Sequence, residues 1–204
     1  MIIPTLFRRN EKTGNVEDEY VVSPSHDWEA FELVRGASVR VTTRSGEMVR
    51  LESLHRLTPE QRRAGIKTGW YREAGPVSTS ARWLWESAGA TDLSFVPDGE
   101  WEGLAVGERI FDNYHLLEGH EVLLYDLIPW HASLGTTAPI PPRLGRVPLD
   151  FNDLKDWMPL EMSRFAPRGH SLWGIVWYSA GVPVATLEAR DFLKYNDRKV
   201  LEEA

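Results

Sequence analysis

The chain has 204 residues, 42% hydrophobic and 26% charged, which suits one substantial soluble globular domain or two very small ones. Its formal net charge of −7 counts against extended duplex binding, where phosphate neutralisation dominates affinity, while leaving room for a local basic groove. The absence of cysteine excludes disulfides, zinc–thiolate sites and cysteine nucleophiles.

The opening stretch, Met1-Ile2-Ile3-Pro4-Thr5-Leu6-Phe7-Arg8-Arg9, lacks the charged-then-apolar-then-small pattern of a secretory signal. No run of about 18 apolar residues occurs, so the expectation is a cytoplasmic protein without a membrane partner. Phe31 to Val34 and Ser38 to Thr43 read as strands separated by Gly36, with a turn at Arg44-Ser45-Gly46-Glu47 and a return strand from Met48 to Leu54. Thr58 suits an N-cap, Pro59 the first helical position and Gly65 the left-handed stop of a short helix. A second helix is expected from Ser80 to Ala88, before Gly89. Asp98-Gly99 is a turn leading into a strand through Trp101 and Val106, and Glu121 to Ile128 reads as a strongly apolar strand. Thr136 to Pro148 is proline-rich and reads as an extended crossing loop. Asp150 to Phe165 is the clearest helix, with Asp150 or Asn152 as cap and Leu154, Trp157, Met158, Leu160 and Phe165 as its apolar positions. Strands from Leu172 to Tyr178 and Pro183 to Leu187 follow, then a helical tail from Asp191 to Glu203. The segments flanking the proline-rich loop read as pieces of one mixed sheet. The expected fold is therefore a single α+β domain over residues 1–204, mainly antiparallel sheet with peripheral helices.

Several fragments recur along this pattern: Pro4 to Arg9; Gly36 to Val41 with its hairpin; Gly65-Ile66 through Gly69-Trp70-Tyr71; Asp98-Gly99-Glu100; Gly107 to Ile110 with Asn113; Gly174-Ile175-Val176-Trp177; and Arg190-Asp191-Phe192. In order and spacing, over most of the chain, they resemble the small RNA-ligase family of phages and bacteria, within the lysine-dependent nucleotidyltransferase superfamily. That resemblance implies an adenylation-domain fold and a defined chemistry. A lysine in a Lys-x-Asp-Gly segment attacks the α-phosphate of ATP, and acidic groups on neighbouring strands hold the ribose and the metal. Two lysines on the last strand neutralise the phosphates as charge builds.

Laid on that pattern, the nucleophile falls on Leu33, the aspartate on Arg35 and the glycine on Gly36. The acidic residue of the next motif falls on Leu104, with Glu102 two residues away on the same strand face, and the following basic residue is kept as Arg109. The glutamate before Gly-Ile-Val is Trp173, and the paired lysines are Thr186 and Glu188. Leucine forms no phosphoramidate, and a glutamate at 188 repels phosphate. The chain holds five lysines, Lys12, Lys67, Lys155, Lys194 and Lys199, of which Lys67 is the candidate for a displaced nucleophile.

Arg35, Arg40 and Arg109 with Trp173 and Trp177 are candidates for a cationic, aromatic ligand pocket, together with Arg190. The plainer alternative pairs Arg40 and Arg50 across the first hairpin as solvated like charges, balanced by Glu47 and Glu52. Glu100 and Glu102 alternate onto one strand face and are weak candidates for Mg²⁺, against a solvated strand edge. His115 and His120 have neither helical nor strand ligand spacing, so no zinc is expected. Three functions follow. The first is a ligase-fold pseudoenzyme that needs no cofactor and binds a nucleotide, a nucleic-acid end or a protein partner. Were it phage-encoded, it would act in the host cytoplasm. The second is an active ligase or nucleotidyltransferase using ATP and Mg²⁺ through relocated residues. The third is a structural or protein-interaction module, where surplus tryptophan and arginine would carry the interface.

Overall fold

The computed structural model describes residues 3–55, 57–66, 69–75, 81–111, 113–135, 138–167 and 169–192. In chain order its elements are β1 (Phe7–Arg9), β2 (Val16–Tyr20), β3 (Glu29–Glu32), β4 (Ala37–Arg44), β5 (Glu47–His55), α1 (Pro59–Arg63), β6 (Trp70–Glu73), α2 (Arg82–Ala90), β7 (Gly99–Gly107) and β8 (His120–Leu123). After a 3-10 helix at Tyr125–Trp130 come α3 (His131–Leu134), β9 (Arg143–Gly145), α4 (Phe151–Trp157), β10 (Gly174–Ser179) and β11 (Val182–Glu188). The described residues fall into two units: unit 1 from Met1–Val34 and Pro141–Ala204, unit 2 from Arg35–Ile140. This is an α+β architecture of antiparallel sheets with few helices, as the sequence pattern anticipates.

Unit 1 holds the small β1–β2 sheet and a four-stranded sheet in the order β11-β10-β3-β9. Central β10 is buried from Gly174 through Tyr178, as expected of a strand covered on both faces. Trp177 opposes Ala30 on β3 and Ala185 on β11, so two small residues make room for the indole. That face packs Trp177, Ile175 and Leu187 against Leu6, Phe7, Leu154 and Met158.

Unit 2 is a five-stranded sheet in the order β6-β5-β4-β7-β8. Strand β4 alternates by the two-residue period of a strand: Val39, Val41 and Thr43 are buried, while Ser38, Arg40 and Thr42 lie on the opposite face. The buried face packs with Leu51, Ala105 and Val122 against Leu84 and Ala88 of α2. Gly36, just before β4, has a backbone reason to be glycine: a Cβ there would run into the carbonyl oxygen of Ala105. Helix α1 begins with a full capping box, in which Thr58 accepts from Gln61 N–H and the Gln61 side chain accepts from Thr58 N–H. Gly65 then takes the left-handed conformation at φ 85°.

Several sequence expectations are corrected. The one mixed sheet is instead separate sheets in the two units. The apolar run from Glu121 to Ile128 leaves the sheet at Leu123. Leu124 N–H bonds Pro139 O, the Asp126 carboxylate accepts Glu102 N–H at 2.8 Å, and Pro129 offers no N–H to continue a ladder. The loop from Thr136 to Pro148 contains β9, which pairs with β3. The helix from Asp150 to Phe165 stops at Trp157 and tightens into one 3-10 turn at Met158–Leu160, because Pro159 lacks a donor and Glu161 turns extended. Asp150 is its cap, accepting from the N–H groups of Asn152 and Asp153. Strand β3 begins and ends two residues before the expected Phe31 to Val34. Residues 193–203 of the expected helical tail lie outside the described residues. Among the described residues no helix is long and apolar enough to cross a membrane.

Candidate functional site

The positions singled out by sequence divide between the units. In unit 1, Leu33 follows β3, its N–H donating to Gly174 O at 2.9 Å. A Cβ on Gly174 would lie 3.0 Å from Leu33 Cδ2, so this leucine packs tightly against the start of β10. Thr186 is tied to the N-terminal segment: its N–H and hydroxyl donate to Pro4 O at 2.9 and 3.3 Å, and its carbonyl accepts from Leu6 N–H. Glu188 is ion-paired with Arg190, Oε2 to Nε at 2.5 Å, and the Arg190 guanidinium lies 5.9 Å from the centre of the Trp173 ring. The Glu188 N–H donates to buried Asp191, which Arg9 neutralises at 2.7 Å. Trp177, a candidate stacking surface, is 0% exposed and belongs to the core of unit 1, so its ring is not presented to a ligand.

In unit 2, the Arg35 N–H donates to Nε2 of His115 at 2.8 Å, and its guanidinium sits 4.9 Å over the Tyr114 ring. His115 is buried; desolvation first, then the nearby Arg35 charge, push its pKa down to about 4, so its imidazole is neutral and accepts the Arg35 N–H.

Arg40 does not face Arg50. Its register partners are Glu52 on β5 and Glu102 on β7, and Arg50 opposes Thr42. The guanidinium bonds Glu102 at 3.0 Å, lies 3.9 Å from Glu52 and stacks 4.1 Å over Tyr71. Burial alone would raise the Glu102 carboxyl, but hydrogen bonds from Arg40 and Tyr125 outweigh it and hold the group below the usual carboxylate range. Burial, then the neighbouring Tyr71 and Glu102, push the Tyr125 phenol well above its ordinary value, so it stays a donor to Glu102. The Arg40 charge is thus spent on two carboxylates, and Glu102 is committed to Arg40 and Tyr125. Glu100 is exposed opposite Thr42. Among the described residues no group of three or more His, Asp or Glu is placed to hold a metal ion. Leu104 sits in β7 between Ser38 and Leu123.

A cleft of about 620 Å³ opens at one end of the unit 2 sheet. It is lined by His55, Arg72, Glu73, Trp83, Arg109 and Phe111 beside Ala37 and Ser38 of β4, Ser53 of β5 and Leu84 of α2, and neither Arg35 nor Arg40 reaches it. The Trp83 ring is stacked on His120 at 5.5 Å with an 8° tilt, and the guanidinium groups of Arg82 and Arg109 lie 4.8 and 5.9 Å from its centre. Phe111 is 52% exposed with φ 49°, and Asn113 and Leu116 are also left-handed at 46° and 49°. For Phe111 and Leu116 this costs about 1–2 kcal/mol each, whereas asparagine tolerates it. The segment is held by Asn113, whose side chain bonds both the N–H and the carbonyl of Leu117 at 3.0 Å. Sequence reading flags Arg109 but misses Arg72, Trp83 and Phe111. For Trp83 the sequence signal is the tryptophan surplus, which does not say which ring is presented, and Arg72 and Phe111 carry none.

No family model matches the chain, and no curated protein matches it. Among solved structures it is similar to RNA ligases of Naegleria gruberi: a lysine-to-alanine mutant without ligand (16% identity, 87% of this chain, 51% of that one, TM-score 0.48) and a form with ATP and manganese (14%, 87%, 52%, 0.48). A third, with pyrophosphate, aligns at 14% identity and TM-score 0.47. The chain spans about half the length of these proteins.

Proposed function

We propose that this chain is an RNA-ligase-type nucleotidyltransferase fold that acts by binding and does not transfer adenylyl groups. One observation carries the reading. At the positions that the motif order assigns to the nucleophile and the phosphate-neutralising lysines, the side chains are apolar or already engaged: Leu33 packs on Gly174, Thr186 bonds Pro4, and Glu188 is neutralised by Arg190. None of them offers an amine to an α-phosphate, and a carboxylate at 188 opposes phosphate charge. The ligand classes consistent with the reading are a nucleotide, a nucleic-acid end or a protein. Lys67, the candidate for a relocated nucleophile, lies outside the described residues.

Incubation with radiolabelled ATP and either Mg²⁺ or Mn²⁺, followed by denaturing electrophoresis, tests the reading. No protein–AMP adduct is expected. An adduct that disappears in Lys67→Ala would overturn the reading in favour of an active nucleotidyltransferase.

A further inference from the structure

We propose that the unit 2 cleft is a metal-independent site for a singly phosphorylated ring, of the size of a nucleoside monophosphate. This rests on the reading of the chain as a binding protein. Of the positions assigned a catalytic or ligand role by sequence, the cleft shares Arg109. At about 620 Å³ the cleft is within the range that holds one small ligand. Its charge runs against that of the chain as a whole: in a protein of net charge −7, two arginines from separate elements converge on it, with Glu73 as the one acidic residue among the described residues of its lining.

The Arg72 side chain forms no hydrogen bond or ion pair among the described residues, its backbone alone pairing with β5. It precedes Glu73 on β6, so the two side chains leave the strand on opposite faces. Arg109 is paired with Glu108 at 3.5 Å, both largely exposed, an arrangement that water screens and a phosphate can replace. The ring-recognising part is Trp83, held flat by His120, with Phe111 kept at the rim by a strained and well-bonded backbone. Strain retained in this way is common at ligand sites. A planar ring against Trp83 and Phe111, with its phosphate between Arg72 and Arg109, uses every one of these features. Among the described lining residues Glu73 is the one carboxylate, too few to share a divalent ion with the phosphate, which favours a monophosphate over a metal–triphosphate complex.

Isothermal titration calorimetry of the full chain with AMP, GMP, CMP and UMP, in EDTA and again in Mg²⁺, tests this. At least one monophosphate should bind one-to-one, tenfold or more tighter than adenosine or inorganic phosphate alone, and equally in EDTA. Arg72→Ala, an exposed change that leaves the fold intact, should weaken it at least fivefold. Trp83→Phe should bind nearly as wild type and Trp83→Leu should not, while Arg8→Ala in unit 1 should change nothing. Absence of saturable heat with all four monophosphates overturns the proposal. So does equal binding by adenosine, a requirement for Mg²⁺, or unchanged affinity in Arg72→Ala. The adduct assay with ATP stands apart from these outcomes, so the two readings fail separately.

Discussion

Glu32→Gln perturbs unit 1 at its most buried carboxylate. Glu32 is 0% exposed and faces the residues after α4. Its Oε1 accepts the Ser163 hydroxyl, and its Oε2 accepts the N–H groups of Arg164 at 2.8 Å and Phe165 at 3.2 Å. Ser163 Oγ in turn accepts from Phe165 and Ala166 N–H at 3.1 and 2.7 Å, so both of its lone pairs are used. A glutamine keeps one carbonyl for the two backbone donors, but its amide nitrogen then points at a hydroxyl with no acceptor capacity left. One charge-assisted bond is lost, about 1.5–3 kcal/mol, and a buried donor is orphaned at about 1–3 kcal/mol. The expected loss is about 3 kcal/mol, or ~6–12 °C in Tm for a chain of this size. Urea and thermal denaturation at pH 7, followed by circular dichroism, measure it. Ser163→Ala should itself destabilise, because Ala166 N–H loses its acceptor, and since both changes break the one Glu32–Ser163 bond, their effects should be non-additive. A Glu32→Gln protein within about 0.5 kcal/mol of wild type would refute the network as a source of stability.

His115 gives a pH-dependent signature. Its folded pKa of about 4 lies below the ordinary 6.5, so the unfolded chain takes up a proton first as pH falls. Its contribution is therefore complete above pH 6.5 and lost on the way down to 4, by about 3 kcal/mol at ~1.36 kcal/mol per unit. Stability measured against pH should show this slope in wild type and lose it in His115→Gln; an equal slope in both disproves the assignment. Gly36→Ala should destabilise unit 2 by about 2 kcal/mol or more, since its Cβ meets backbone at Ala105 where no side chain can yield. Hydrogen exchange should localise that loss to the β4–β7 pairing, and an unchanged exchange pattern would count against it.

What was legible in the sequence was what depends on local pattern. Alternation located β4 and β5, Thr58 and Gly65 bounded α1, and the apolar run from Gly174 located β10. What failed depended on partners distant in sequence. Leu124 to Ile128 is apolar enough for a strand, but Asp126 and Tyr125 are drawn to Glu102, 23 or 24 residues earlier, and the chain turns instead. Helix α4 ends early because the following residues close on Glu32, more than 130 positions away. The site was legible least of all. Reading Arg40 as a phosphate ligand needs knowledge of its neighbours across two strands, and those are carboxylates on both sides.

At the end of β11 the charged groups are paired with one another, and an isolated carboxylate shielded from water would be costly. Here Arg190 lies against Glu188 at 2.5 Å, and the same guanidinium lies near the Trp173 ring, so the three side chains form a single cluster. One residue further, buried Asp191 accepts the Glu188 N–H and is neutralised by Arg9 from β1. Glu188→Lys alone would set a second cation beside Arg190 and leave the two competing for the partners of one.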